Sequence, residues 1–84
     1  MKNLNKYDYK EEECEGFRVY IKDGNRWFHL QDYPKGQDFL DLASYDAFNC
    51  VKTGFDSYCI VSLFEGGNIE RLSDGTIRKA HYVA

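Results

Sequence analysis

From Phe17 to Gln31 the apolar residues recur at every second position. Phe17, Val19 and Ile21 alternate with Arg18, Tyr20 and Lys22, the period of a half-buried strand. Asp23-Gly24 then offers the positive backbone dihedrals of a tight primed turn, which predicts a β-hairpin. With Asp23-Gly24 as a two-residue loop, Lys22 faces Asn25, Tyr20 faces Trp27, Val19 faces Phe28 and Phe17 faces Leu30. That pairing sorts Phe17, Val19, Ile21, Phe28 and Leu30 onto one side. Arg18, Tyr20, Lys22, Trp27 and His29 fall on the other.

Asp32 to Gly36 contains the only proline, Pro34, and reads as a loop. A helix follows between Asp38 and Thr53, with two candidate starts. A helix over the whole stretch makes a stripe of Leu40, Ala43, Ala47 and Val51 but strands Leu42, Tyr45 and Phe48 on the far side. A helix that begins after Ser44 as N-cap puts Ala47, Phe48 and Val51 on one face and Asp46 in its first turn. The shorter helix, residues 45–53, strands fewer rings and is preferred. Gly54 suits the C-terminal cap in both cases. Tyr58 to Phe64 is an almost continuous apolar run, as in a central strand. Ile69 to Leu72 then pairs across Asp74-Gly75 with Thr76 to Val83, setting Leu72 opposite Ile77 and Glu70 opposite Lys79. Residues 1–15, with alternating Tyr7 and Tyr9 and an acidic run around Glu12, read as a flexible arm or edge strand. The expected fold is α+β: an antiparallel sheet of about five strands with one helix on one face, in a single domain over residues 16–84.

Composition narrows the function by exclusion. Eighty-four residues suffice for one small core, and a net charge of −3 argues against general attraction to nucleic acid or anionic membranes. No apolar run reaches the length of a membrane span, and the first residues lack a signal-peptide apolar region. Cys14, Cys50 and Cys59 are odd in number and lack CxxC spacing, which favours free thiols in a reducing cytoplasm. Neither a metal-ligand spacing nor a phosphate-cradling glycine motif is present, so no cofactor or metal is expected. His29 and His81 have no sequence-local triad partners, which points away from an enzyme. A cysteine nucleophile at Cys50 or Cys59 is the remaining catalytic alternative.

What stands out instead is ring surface. Fourteen aromatic residues in so short a chain exceed what one core absorbs. Tyr20 and Trp27, with Arg18 and His29 beside them, form a candidate contact surface, since Trp, Tyr and Arg dominate interface hot spots. Asp38, Asp41 and Asp46 would meet basic residues of a partner and speed encounter. The partner expected is a protein; self-association would satisfy the same surface. A nucleic-acid contact through Arg71, Arg78, Lys79, His81 and Tyr82 is the alternative. In general character the chain resembles the small acidic inhibitors that bacteriophages and mobile elements make against host defences, anti-CRISPR proteins among them. No motif carries that resemblance, and it assigns a role to no residue.

Overall fold

The protein's structure is a computed structural model, which describes residues 4, 9, 10 and 13–80. The chain runs β1 (Gly16–Asp23), β2 (Arg26–Pro34), α1 (Gln37–Lys52), β3 (Ser57–Leu63), β4 (Ile69–Leu72) and β5 (Ile77–Lys79). The five strands form one antiparallel sheet in the order β2-β1-β3-β4-β5, and α1 packs on one face, against β1, β3 and the inner side of β2. This is the α+β architecture expected from the hydrophobic pattern.

The first hairpin forms one residue away from the expected register. Asp23 pairs with Arg26, Lys22 with Trp27, Ile21 with Phe28 and Tyr20 with His29, so Gly24-Asn25 is the loop. Gly24 takes φ +65°, whereas no residue other than glycine has a positive φ among the described residues. A loop centred on Asp23-Gly24 would need Asp23 in the left-handed region. Moving the loop by one leaves that conformation to glycine alone, as in a type II′ turn. From Asp23–Arg26 to Tyr20–His29 the facing sums stay odd, so the sides assigned to residues 20–29 survive while the neighbours change.

Further along, Val19 pairs with Gln31, which leaves Leu30 without an opposite residue. This bulge reverses the alternation of β2. It turns Tyr33 toward the core opposite Phe17 and brings Asp32 over Arg18, and β2 continues through Pro34 where a loop was expected. Proline is tolerated because β2 is an edge strand.

The helix spans the whole stretch rather than residues 45–53. Gly36 is its N-cap, and Ser44, expected to cap, instead donates its hydroxyl to the Leu40 carbonyl at 2.8 Å inside the helix. At the far end Phe55 N–H bonds Cys50 O at 3.2 Å and Gly54 N–H bonds Val51 O at 3.1 Å, a Schellman closure with Gly54 at φ +127°. Ala43 and Ala47 are fully buried, and their small side chains let α1 approach Phe17, Val19, Ile21 and Ile60 closely. Leu40, Cys50, Phe55, Tyr58 and Phe64 close the rim of this core.

The second hairpin also shifts. Ile69 pairs with Lys79, Glu70 with Arg78 and Arg71 with Ile77, so Glu70 faces Arg78 and not Lys79. Leu72 N–H bonds Thr76 O at 2.9 Å and Gly75 N–H bonds Leu72 O at 3.0 Å, enclosing a three-residue loop. Gly75 carries the positive φ, +92°, and Asp74 keeps a negative one while its carboxylate accepts the Thr76 N–H at 2.9 Å. Of the amino-terminal segment, Leu4 N–H bonds Ile77 O at 2.6 Å, and the Tyr9 ring meets Phe64 edge-on at 6.1 Å. Most of residues 1–12 lie outside the described residues, as do His81 and Tyr82.

Candidate functional site

The sheet face opposite α1 carries the candidate surface. Strand alternation and the observed register place Arg18, Tyr20 and Lys22 of β1 on that face beside Asp32, His29 and Trp27 of β2. The expected Tyr20–Trp27 cross-strand pair does not form as such. Tyr20 faces His29, ring centroids 5.5 Å apart at a 44° tilt, and Trp27 faces Lys22, whose Nζ lies 6.0 Å from the indole centroid. Trp27 is 46 % exposed, so its indole meets water.

A polar lock fixes the lower half of the face. Asp32 Oδ1 lies 2.8 Å from Arg18 Nε and 2.7 Å from His29 Nε2. The Arg18 hydrogen bond holds the Asp32 carboxyl below the usual carboxylate range, with His29 adding to it, and the same bond raises the Arg18 guanidinium. Asp32 was legible only as the start of the Pro34 loop, because its place beside Arg18 depends on the bulge at Leu30. Lys22 was assigned to the correct side but given no role.

The acidic candidates lie elsewhere. Asp38 and Asp41 sit exposed on α1, on the opposite side of the sheet from Trp27, and Asp41 Oδ1 accepts from Gln37 Nε2 at 2.9 Å. Asp46 is half-buried and accepts the Tyr33 hydroxyl at 2.6 Å, a bond that pins α1 to β2. Burial and that bond push the Tyr33 phenol well above its ordinary value. The structure therefore gathers Arg18, Tyr20, Trp27 and His29 on one face and leaves Asp38, Asp41 and Asp46 on the other.

The groups behind the alternative readings are also dispersed. Arg71 pairs with Ile60 and lies over the Tyr9 ring, 5.6 Å from its centroid. Arg78, one face away, donates from Nε to Oε1 of the buried Glu70 at 2.5 Å. Cys59 is buried beside that carboxylate, Sγ to Oε2 3.8 Å, and Cys14 donates to the Gly16 carbonyl at 3.0 Å. His29 and Cys59 both flank Tyr20, on β2 and β3, so two strand spacings, roughly 10 Å, separate them. Direct proton transfer between them is out of reach at that distance. No three His, Cys, Asp or Glu side chains cluster at metal-binding distance among the described residues. No helix among them is long and apolar enough to cross a membrane.

Comparison of the chain with protein-family models, with curated proteins and with solved structures finds no match.

Proposed function

We propose that the protein works by binding another protein through the outer face of the β1–β2 hairpin, without chemistry of its own. The observation that carries this reading is Trp27: a large ring, 46 % exposed, held on a strand rather than a loop. Beside it the Tyr20–His29 contact and the Arg18–Asp32–His29 lock restrict four polar or aromatic side chains before any partner arrives. Side chains already ordered lose little freedom on association, so more of their contact energy appears as affinity. Each large ring buries about 150–250 Å² when covered, enough for a hot spot of several kcal/mol at about 25 cal/mol per Å².

Bound in this way, the protein acts by occlusion, covering a working surface of its partner. Its size, acidic charge and surplus of rings keep it in the type of small inhibitors directed by phages and mobile elements against host defences. The exposed Asp38 and Asp41 of α1 face away from the docking face and contribute through long-range steering toward a basic partner. The place of action on this reading is the cytoplasm, where Cys14, Cys50 and Cys59, none of them in a disulfide, stay reduced.

The test compares tagged wild type with Trp27→Ala and Tyr20→Ala in quantitative co-purification, then measures affinity for the recovered protein. Trp27→Ala should weaken binding at least tenfold with the circular dichroism spectrum unchanged. A loss within about 0.5 kcal/mol for both variants removes this face as the hot spot. Strong binding to nucleic acid at low salt, falling steeply as salt rises, would replace the protein partner with a nucleic-acid one.

A further inference from the structure

The helix carries two parallel seams with the same three-four spacing. Leu40, Ala43, Ala47 and Cys50 form the seam turned to the core. Asp38, Asp41, Tyr45, Phe48 and Lys52 form a second one, and all five are exposed. Tyr45 at 65 % and Phe48 at 58 % are the most exposed large apolar residues among those described. Rings at three-four spacing with charges at both ends make a helix-pairing stripe, the a and d positions of a coiled-coil seam.

The order of charges along this stripe selects an occupant. In a parallel pair of copies, Asp38, Asp41 and Lys52 would each meet their own like charge. In an antiparallel pair, where a positions of one helix meet d positions of the other, Tyr45 meets the partner's Phe48 and Asp41 meets the partner's Lys52. The two-fold axis then lies between Asp46 and Ala47, and every layer is repeated by symmetry. Two ring layers are thus bracketed by two ion pairs. The charges are available: Lys52 makes no ion pair with a described residue, and Asp41 shares only Oδ1 with Gln37. The two helix dipoles also lie antiparallel in that arrangement, each positive end beside the partner's negative end.

We propose that α1 pairs antiparallel with α1 of a second copy of this chain, through Tyr45 and Phe48 with Asp41–Lys52 pairs at the flanks. Tyr45, Phe48 and the adjacent exposed Leu42 offer on the order of 300–400 Å² of apolar surface per chain. A stable interface takes about 800 Å² per partner, so this dimer is weak and reversible, populated near roughly 10⁻⁴ M. It lies across the sheet from Trp27 and does not rest on the hairpin reading. A dimer of this shape leaves both hairpin faces open.

Sedimentation velocity over a concentration series tests the proposal. The weight-average mass should climb from 9.8 kDa toward twice that value as concentration rises to about 1 mM. Asp41→Lys and Lys52→Asp, each placing like charges together, should hold the protein monomeric. The double variant Asp41→Lys/Lys52→Asp should recover the dimer, which indiscriminate ring contact would not do. Tyr45→Glu should abolish it while leaving the helix content unchanged. Wild type that stays monomeric at about 1 mM overturns the proposal, as does a dimer indifferent to Asp41→Lys.

Discussion

Two buried hydroxyls in this core meet opposite circumstances, and the difference sets their worth. The Tyr33 hydroxyl donates to Asp46 at 2.6 Å and ties β2 to α1. Ser62 is fully buried on β3, and its Oγ has no hydrogen-bond partner among the described residues. A bonded hydroxyl contributes about 1 kcal/mol, and its removal leaves the acceptor unmet; an unbonded one only carries its desolvation cost. Tyr33→Phe should therefore lower stability by about 1–2 kcal/mol, whereas Ser62→Ala should leave it unchanged or raise it by up to about 1 kcal/mol, read from urea midpoints. Tyr33 also sets an alkaline limit. Its phenol is held protonated in the fold above the ordinary value of 10.0, by burial and by the Asp46 carboxylate. The unfolded chain therefore releases that proton first. The Tyr33 contribution is intact below about pH 10 and is lost as pH rises through the folded value. The stability gap between wild type and Tyr33→Phe should narrow above about pH 10. A gap that stays constant to pH 11.5 or so would deny the coupling.

At the scale of elements, glycine decides where each turn falls. The strands, their order of appearance and the sides taken by residues 17–23 and 26–29 of the first hairpin were legible, because alternation over eight or nine residues is a strong signal. The registers were not. Both Asp-Gly pairs suggested two-residue loops with aspartate as well as glycine at positive φ, yet Gly24 and Gly75 alone adopt it. One hairpin responds by sliding its loop to Gly24-Asn25 and the other by lengthening its loop to Ser73-Asp74-Gly75. The slide preserves the faces, but the lengthening exchanges Lys79 for Arg78 opposite Glu70 and creates the ion pair on the far side. The bulge at Leu30 has no local residue signal, being visible only once Tyr33 is seen to need the core and Asp32 to need Arg18. The helix start was misread because the preferred shorter helix put Phe48 on its apolar face and gave Tyr45 no place. The chain instead forms the longer helix and leaves those rings in water, which is why ring surplus on α1 escaped notice while that of the hairpin did not.

For the molecule as a whole, the sheet is unevenly supported, and its opening should follow that gradient. β1 is bonded on both sides and lies under α1, with Val19 and Ile21 fully buried; its neighbour β3 carries the equally buried Val61. β5 is three residues long, and no contact with α1 joins the helix to it or to β4. β2 is longer but forms the opposite edge, and its outward backbone groups bond no described residue. Local opening costs least where few buried apolar groups must be exposed, so the β5 ladder should open first and the β1–β3 ladder only with global unfolding. Native-state hydrogen exchange at low protein concentration should show this order. Amides of Val19, Ile21 and Ile60 should exchange with the free energy of complete unfolding, and those of Arg78 and Lys79 at least a hundredfold faster. The reasoning extends to α1, whose solvent seam around Tyr45 is uncovered in the single chain. Its amides should rank between the two ladders in dilute protein and gain protection as concentration rises, provided copies pair through that seam. Uniform protection across all five strands would contradict the gradient, because it would require β5 to share the support that β1, β3 and, more lightly, β2 receive from the helix.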